Sequence, residues 1–365
     1  MSQSINKTMG QTGKVLFIAL LCILGVLGIV AFASHDSETK KELDLKEMVF
    51  GHIGDAYNWH ITTIGETHIS IPLPCIVYGE NGLNVFCASR LGHEGHYTEY
   101  NGYKIAEEGD NAGKIIEVST GQRPVDLSIT KNVVSLLISC ALLLIIFLSI
   151  AKKYNKCKET GYCKPTGLQA ILEPLIVSLH DDIIKPSVGK NYKKFSAYLL
   201  TVFFFIFINN VLGIIPIFPG GANLTGNIAV TLVLAVLTFL LTNIFGTKAY
   251  WKDIFWPHVP IGLKLPVPIM QFIEILGIFT KPIALCIHLF ANMFAGRVMV
   301  LVLIGLIFVF SQMSIVAGLG VSVISVLLVV FMSLLECLVC FIQAYVFMTL
   351  SALFIGMAQI EEDEE

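Results

Sequence analysis

The sequence has no glycine-rich nucleotide loop, no set of side chains at metal-ligand spacing and no nucleophile elbow. No chemistry on a small molecule, no cofactor and no nucleic-acid partner are therefore expected. Charge is scarce as well: Asp, Glu, Lys and Arg make up 14% of the 365 residues, against ~25% in average soluble proteins. The net charge of -3 carries little meaning, because the charges are segregated along the chain. Apolar residues fill the gap. They reach 55% with a mean hydropathy of +0.75, above the ~45–50% of soluble domains. Several runs exceed the ~18 apolar residues that mark a membrane-spanning segment. The expected fold class is an all-α polytopic membrane protein.

The first 33 residues have the form of a secretory signal. Lys7 and Lys14 precede the apolar run 15–32, and Ala31-Phe32-Ala33 before Ser34 has the small-x-small pattern of a cleavage site. The run is long for a signal core, so an uncleaved anchor is the alternative. Residues 34–130 follow as a polar insert with short β-like pieces at 59–64, 68–72 and 82–88. Turn signals stand between them at Asn81-Gly82 and Gly109-Asp110-Asn111. A small extracytoplasmic domain with some β structure is expected. Cys75 and Cys87 could pair there in an oxidising compartment. The fragment His93-Glu94-Gly95-His96 resembles a piece of a metal site, although a solvated loop accounts for it better.

Five hydrophobic regions come next, at 133–151, 196–218, 227–246, 266–310 and 314–357, giving about five membrane helices. The last two are joined by a short turn at 311–313. As a continuous helix each would run roughly 65 Å at ~1.5 Å per residue, against a hydrocarbon core of ~30 Å. Either each breaks, for instance at Pro282, or the pair forms a long, strongly tilted C-terminal hairpin; the second is favoured because the polar residues sit mid-segment. This membrane domain covers 131–360, and an acidic tail, 361–365, ends the chain.

Loop charges give an orientation. The loop after the first span carries nine lysines from Lys152 to Lys194, whereas residues 219–226 carry none. The positive-inside rule places the lysine loop in the cytoplasm, residues 34–130 outside and the C-terminus in the cytoplasm. Within that loop 168–184 reads as an amphipathic, interfacial helix.

The most telling stretch is 281–297, KPIALCIHLFANMFAGR, which sets polar side chains inside an apolar run. Ionisable groups at membrane depth are costly and mark functional sites. Glu274, Lys281 and His288 are seven residues apart and share a helix face, which Asn292 continues. Arg297 lies nine residues past His288 and points to roughly the opposite side at ~100° per residue. Glu336 and Gln343 are also seven apart. An Arg297–Glu336 pair is the simplest way to neutralise both charges, although their unequal distances from the turn demand a stagger. A protonated, locally bonded Glu336 is the alternative.

Four stretches in order, NNVLGIIP (209–216), ANLTGNIAVTLVLA (222–235), KPIALCIHLFANMFAG (281–296) and FIQAYVFMTLSALFIG (341–356), resemble the a subunit of F-type ATP synthases. The resemblance covers roughly 167–356, and the signal-plus-insert arrangement looks like the Bacteroidetes form. It implies an inner-membrane stator beside a rotating c-ring, held by the peripheral stalk subunit b and other synthase subunits amid membrane lipid. Two aqueous half-channels would pass protons to and from a c-ring carboxylate, kept apart by a fixed positive charge. Carried over residue by residue, His288 takes the rotor-facing position, with Asn292 and Gln343 beside it. Glu274, Arg297 and Glu336 take half-channel positions. Lys281 reads as a snorkelling interfacial lysine, and Asn209, Asn210 and Asn223 line the external half-channel or serve as caps and interhelical bonds.

The pattern departs from the family at its centre. The arginine expected before LFAN is His288, and the position nine residues on, often His or Glu, is Arg297. Arginine keeps its charge at any relevant pH, while a histidine titrates near ~6.5. Three readings stay open: His288 as a titrating substitute, Arg297 as the permanent charge from a displaced position, or an impaired variant. Impaired or pH-dependent coupling ranks first, because Arg297 faces away from the His288 side. The rival classes are a secondary transporter, which would show inverted repeats, and a membrane-anchored binding protein, which would carry few intramembrane charges. The coupling ion, proton or sodium, is not written in this chain.

Overall fold

The computed structural model describes residues 54–359, apart from 65–66, 81, 94–95, 108–110, 161–166, 216–219 and 257–268. The signal-like segment, part of the Asn81-Gly82 and Gly109-Asp110-Asn111 turns, and the acidic tail lie outside the described residues. The chain divides into two compact units. One is, in its described part, Ala295–Glu336; the other is Gly54–Phe294 with Cys337–Glu365.

The polar insert is a set of small antiparallel sheets. Strands β1 (Asn58–Ile64) and β2 (Thr67–Pro72) form a hairpin, with a bulge between His60 and Thr62. Strand β3 (Pro74–Gly79) sits between β4 (Gly82–Cys87) and β9 (Val125–Asp126). Two short hairpins complete the insert: β5 (Gly92–His93) with β6 (His96–Tyr97), and β7 (Tyr103–Ile105) with β8 (Ile115–Glu117). Tyr57, Cys75, Val77, Phe86, Leu91, Tyr103 and Ile115 pack into its core. The Tyr57 hydroxyl donates to Asp126 across 69 residues of chain, tying the start of the insert to its end.

This geometry corrects the idea of a Cys75–Cys87 disulfide. Cys75 pairs with Phe86 and Cys87 with Pro74. Adjacent ladder positions point to opposite faces of a pleated sheet, so Cys75 is buried, Cys87 is exposed, and both thiols are free. The His93–His96 fragment is a tight hairpin in which those two residues pair; no metal-binding group of three or more side chains exists among the described residues.

The membrane part is helical: α1 (Lys131–Thr160), α2 (Leu168–Ser178), α3 (Tyr192–Ile214), α4 (Ile228–Ile244), α5 (Lys248–Phe255), α6 (Ile269–Met313) and α7 (Ile315–Ala358). Among the described residues four helical stretches are long and apolar enough to cross a membrane; the bent pair α4–α5, turning by 99°, makes a fifth. Asn227 caps α4 by accepting from the Ala229 amide, and Thr247 caps α5 by accepting from Tyr250.

Two expectations change in detail, and the alternative of a break at Pro282 falls away. The segment 168–184 is not one amphipathic helix: α2 gives way to a π-helical turn, Leu179–Ile184. Leu168, Ile171 and Val177 face outward, while Leu179, Ile183 and Ile184 enter the core. Pro282 does not break α6, which runs through it. The turn expected at 311–313 is helical, and the interruption falls on Ser314 alone.

The core of the larger unit brings Phe195, Leu199, Phe203 and Ile206 of α3 against Leu285 and Leu289 of α6 and Ala344, Phe347 and Ala352 of α7. Helices in lipid gain little from apolar burial and associate through close packing and hydrogen bonds. Gly356 shows how close: a Cβ there would stand 1.8 Å from the Ser187 carbonyl oxygen.

Candidate functional site

In the larger unit three polar side chains buried between helices form a chain of bonds. The Thr225 hydroxyl donates to Asn210 Oδ1 at 2.6 Å. Asn210 Nδ2 donates to Gln343 Oε1 at 3.2 Å, and Gln343 Nε2 donates to the Leu289 carbonyl at 2.6 Å. Thr225, Asn210 and Gln343 are each no more than 1% exposed. With no water to replace a lost partner, such a network fixes the register of α3, α6 and α7. Gln343 is thus a buried clamp, reaching α6 from the core side.

His288 and Asn292 are on the other side of α6. Both are exposed, whereas Leu285, Cys286, Leu289 and Met293 turn into the core. Ile283 and Ile287 are exposed beside His288, so an apolar surface surrounds the imidazole. A histidine on an open apolar face needs a partner from outside the chain or a path to water. Lys281 and Glu274, one and two heptads earlier, are half-buried. Lys281 lines a mainly apolar cleft with Thr238, Phe239, Asn243, Tyr250, Leu285 and Phe354, its Nζ 5.6 Å from the Phe354 ring centre.

The smaller unit holds the ion pair. Arg297 Nε and Glu336 Oε1 are 3.9 Å apart, with side chains 19% and 10% exposed. That is an electrostatic contact longer than a hydrogen bond. Gly296 makes room for the carboxylate, since a Cβ there would stand 3.2 Å from Glu336 Oε1. A break at Ser314 narrows the stagger without removing it: Arg297 is 17 residues before it and Glu336 22 after.

Of the residues singled out by sequence, Arg297 and Glu336 come together, and Gln343 joins Asn210. His288 and Asn292 share an open face. Asn209 and Asn223 satisfy local bonds, Asn209 Nδ2 to the Phe205 carbonyl and Asn223 Oδ1 from the Gly226 amide. Sequence reading missed the threonine face of α4. Thr231 contacts Cys286 Sγ at 3.5 Å, and Thr238 contacts both Tyr198 and Ser351. Their spacing, 231, 238 and 242, is the same seven-and-four pattern that marked α6, and it was available.

Residues 133–356 match the family described as ATP synthase A chain. The chain belongs to that family. Its match includes all six candidate residues, Glu274, His288, Asn292, Arg297, Glu336 and Gln343. The chain is 44% identical over 242 residues to ATP synthase subunit a of Pelodictyon phaeoclathratiforme, covering 66% of this chain and 68% of that one. It is 41% identical over 239 residues to subunit a of Chloroherpeton thalassium, covering 65% and 68%, and 41% identical over 237 residues to that of Myxococcus xanthus, covering 64% and 74%. Residues 48–135 match a separate domain of unknown function. This member of the ATP synthase A chain family is a multi-pass membrane protein.

Proposed function

We propose that the chain is the proton-conducting stator subunit of an F-type ATP synthase, passing protons to and from a rotor carboxylate. The observation that carries this reading is the half-buried Arg297–Glu336 pair, a protonatable group and a permanent cation partly desolvated together in a chain of this family. Such a pair is costly to build and weak as a stability device, so a role in proton transfer is the better account of it. The driving force would be ~2.3 kcal/mol per charge for each 100 mV, plus the pH difference.

Each residue has a part. His288 and Asn292, on the open face of α6, meet the rotor. Arg297 and Glu336 form the gate of one half-channel, and Glu274 belongs to the approach on the other. Gln343 holds α6 in register behind His288. Because histidine stands where the family's arginine is expected, the positive charge facing the rotor depends on pH, and coupling weakens where the imidazole is neutral. The lysine loop and the C-terminus lie in the cytoplasm, the insert lies outside, and residues 1–33 act as its export signal. The partners are a c-ring, a peripheral stalk and lipid.

Affinity purification of the full chain from its native membrane tests the assignment. A rotor ring and stalk subunits should come with it. Recovery of the chain alone, with substrate-driven uptake in vesicles, would instead establish a secondary transporter.

A further inference from the structure

We propose that the outer face of the β3–β4–β9 sheet lies on the bilayer beside α1, with its strands nearly parallel to the membrane surface. An antiparallel sheet with one face in water alternates apolar with polar residues. This one is apolar on both faces. Cys75, Val77 and Phe86 fill the core, yet the opposite face presents Tyr78, Leu83, Val85, Val125 and Leu127, each 57–66% exposed. Tyr78 pairs with Leu83 on one side and Val125 on the other, and Ile76 pairs with Val85, so the patch is continuous. Contiguous apolar patches of this kind mark contact surfaces rather than chance exposure.

Lipid is the occupant because the patch runs into a surface that lipid must cover. Past Val125 the chain stays on the sheet: the Leu127 amide donates to Ile76 O and the Ile129 amide to Pro74 O. Two residues later, at Lys131, α1 begins. Its start is tied to the insert, with the Lys131 amide donating to Ala56 O and the Asn132 amide to Asp55 Oδ1. Beyond it Leu137, Leu144, Ile145 and Leu148 are open on the spanning helix. Arg123 is exposed two residues before Val125, and half-buried Lys131 lies two after Ile129, so cations flank the patch where anionic headgroups would sit. Tyr78, apolar with a polar tip, suits that depth.

The strand direction is the testable part. Upright strands at ~3.3 Å per residue would lift Val125 roughly 20 Å from the start of α1, beyond a headgroup layer of ~5–8 Å. Only strands lying along the surface put both ends of the patch in lipid.

The test uses the full chain, purified with its native partners in nanodiscs of phosphatidylethanolamine and phosphatidylglycerol. Nitroxide labels are placed through Leu83→Cys, at the far end, Leu127→Cys, at the near end, and Lys104→Cys, exposed on another sheet. The signal of the labelled unsubstituted chain is subtracted. The Leu83 and Leu127 positions should be several-fold less open to a water-soluble nickel chelate than the Lys104 position, and more open to oxygen. Chelate access at Leu83 equal to that at Lys104 would overturn the proposal, as would protection from both reagents, which would mean a protein covers the face. Should Leu83→Cys fail to assemble, Val125→Cys, at the same far end across Tyr78, takes the label instead.

Discussion

Gln343 donates its amide to the main-chain carbonyl of Leu289 at 2.6 Å, one residue beyond His288. The bond joins α7 to the inner side of α6 while His288 occupies the outer side. The same amide accepts from Asn210, so one side chain sets the position of two neighbouring helices. Replacing it by Leu should strand Asn210 Nδ2 and cost about 1–3 kcal/mol. Thermal unfolding of the purified complex should show a lower midpoint for Gln343→Leu; an unchanged midpoint would deny the clamp its role.

The Arg297–Glu336 pair gives a prediction about coupling between substitutions. Removing one partner leaves an uncompensated buried charge, typically worth 3–5 kcal/mol, while replacing both can be neutral. Arg297→Met and Glu336→Leu should each reduce assembly, and the double variant should recover it while still failing to pump protons. A double variant as poorly assembled as the singles would show that the two side chains act separately.

Gly356 and Gly296 test close approach. A Cβ at 356 would meet the Ser187 backbone at 1.8 Å, so Gly356→Ala should destabilise the chain by about 1–3 kcal/mol. At 296 the neighbour is the Glu336 carboxylate at 3.2 Å. Gly296→Ala should therefore leave assembly intact and slow proton transfer. Equal effects of the two substitutions on assembly would contradict this distinction.

The insert should fail in alkali. Burial, helped by the charge of Asp126, pushes the Cys75 thiol from its ordinary 9.0 up to about 12. Burial and the bond to Asp126 also raise the Tyr57 hydroxyl. Both groups hold their protons more tightly when folded, so their stabilisation is complete below the unfolded values and fades as pH rises. Circular dichroism should show loss of insert structure beginning above pH ~9. Labelling with a membrane-permeant maleimide below that pH should mark Cys87 and spare Cys75; rapid labelling of Cys75 would contradict its burial.

The sequence disclosed the apolar runs, because hydropathy is a local signal, and the two charges of the ion pair, because each stands out inside such a run. It did not disclose strand β3, which opens on Pro74 and so carries a breaker at its first position, a place where strands tolerate proline. Nor did spacing alone reveal that Gln343 turns inward, since its partners Asn210 and Leu289 lie 133 and 54 residues away. The Ser314 break narrows the stagger of the ion pair, and a single interrupted residue leaves almost no compositional trace. Five helices could be counted; their register could not.

ATP-driven proton pumping in vesicles, followed from pH ~6 to ~8 across the range where histidine titrates, bears most directly on the central claim. With the unsubstituted chain, pumping should decline as pH rises, relative to His288→Arg, which should pump throughout. If His288→Arg changes nothing at any pH while Arg297→Ala abolishes pumping, the charge facing the rotor comes from Arg297 and the account of His288 is wrong.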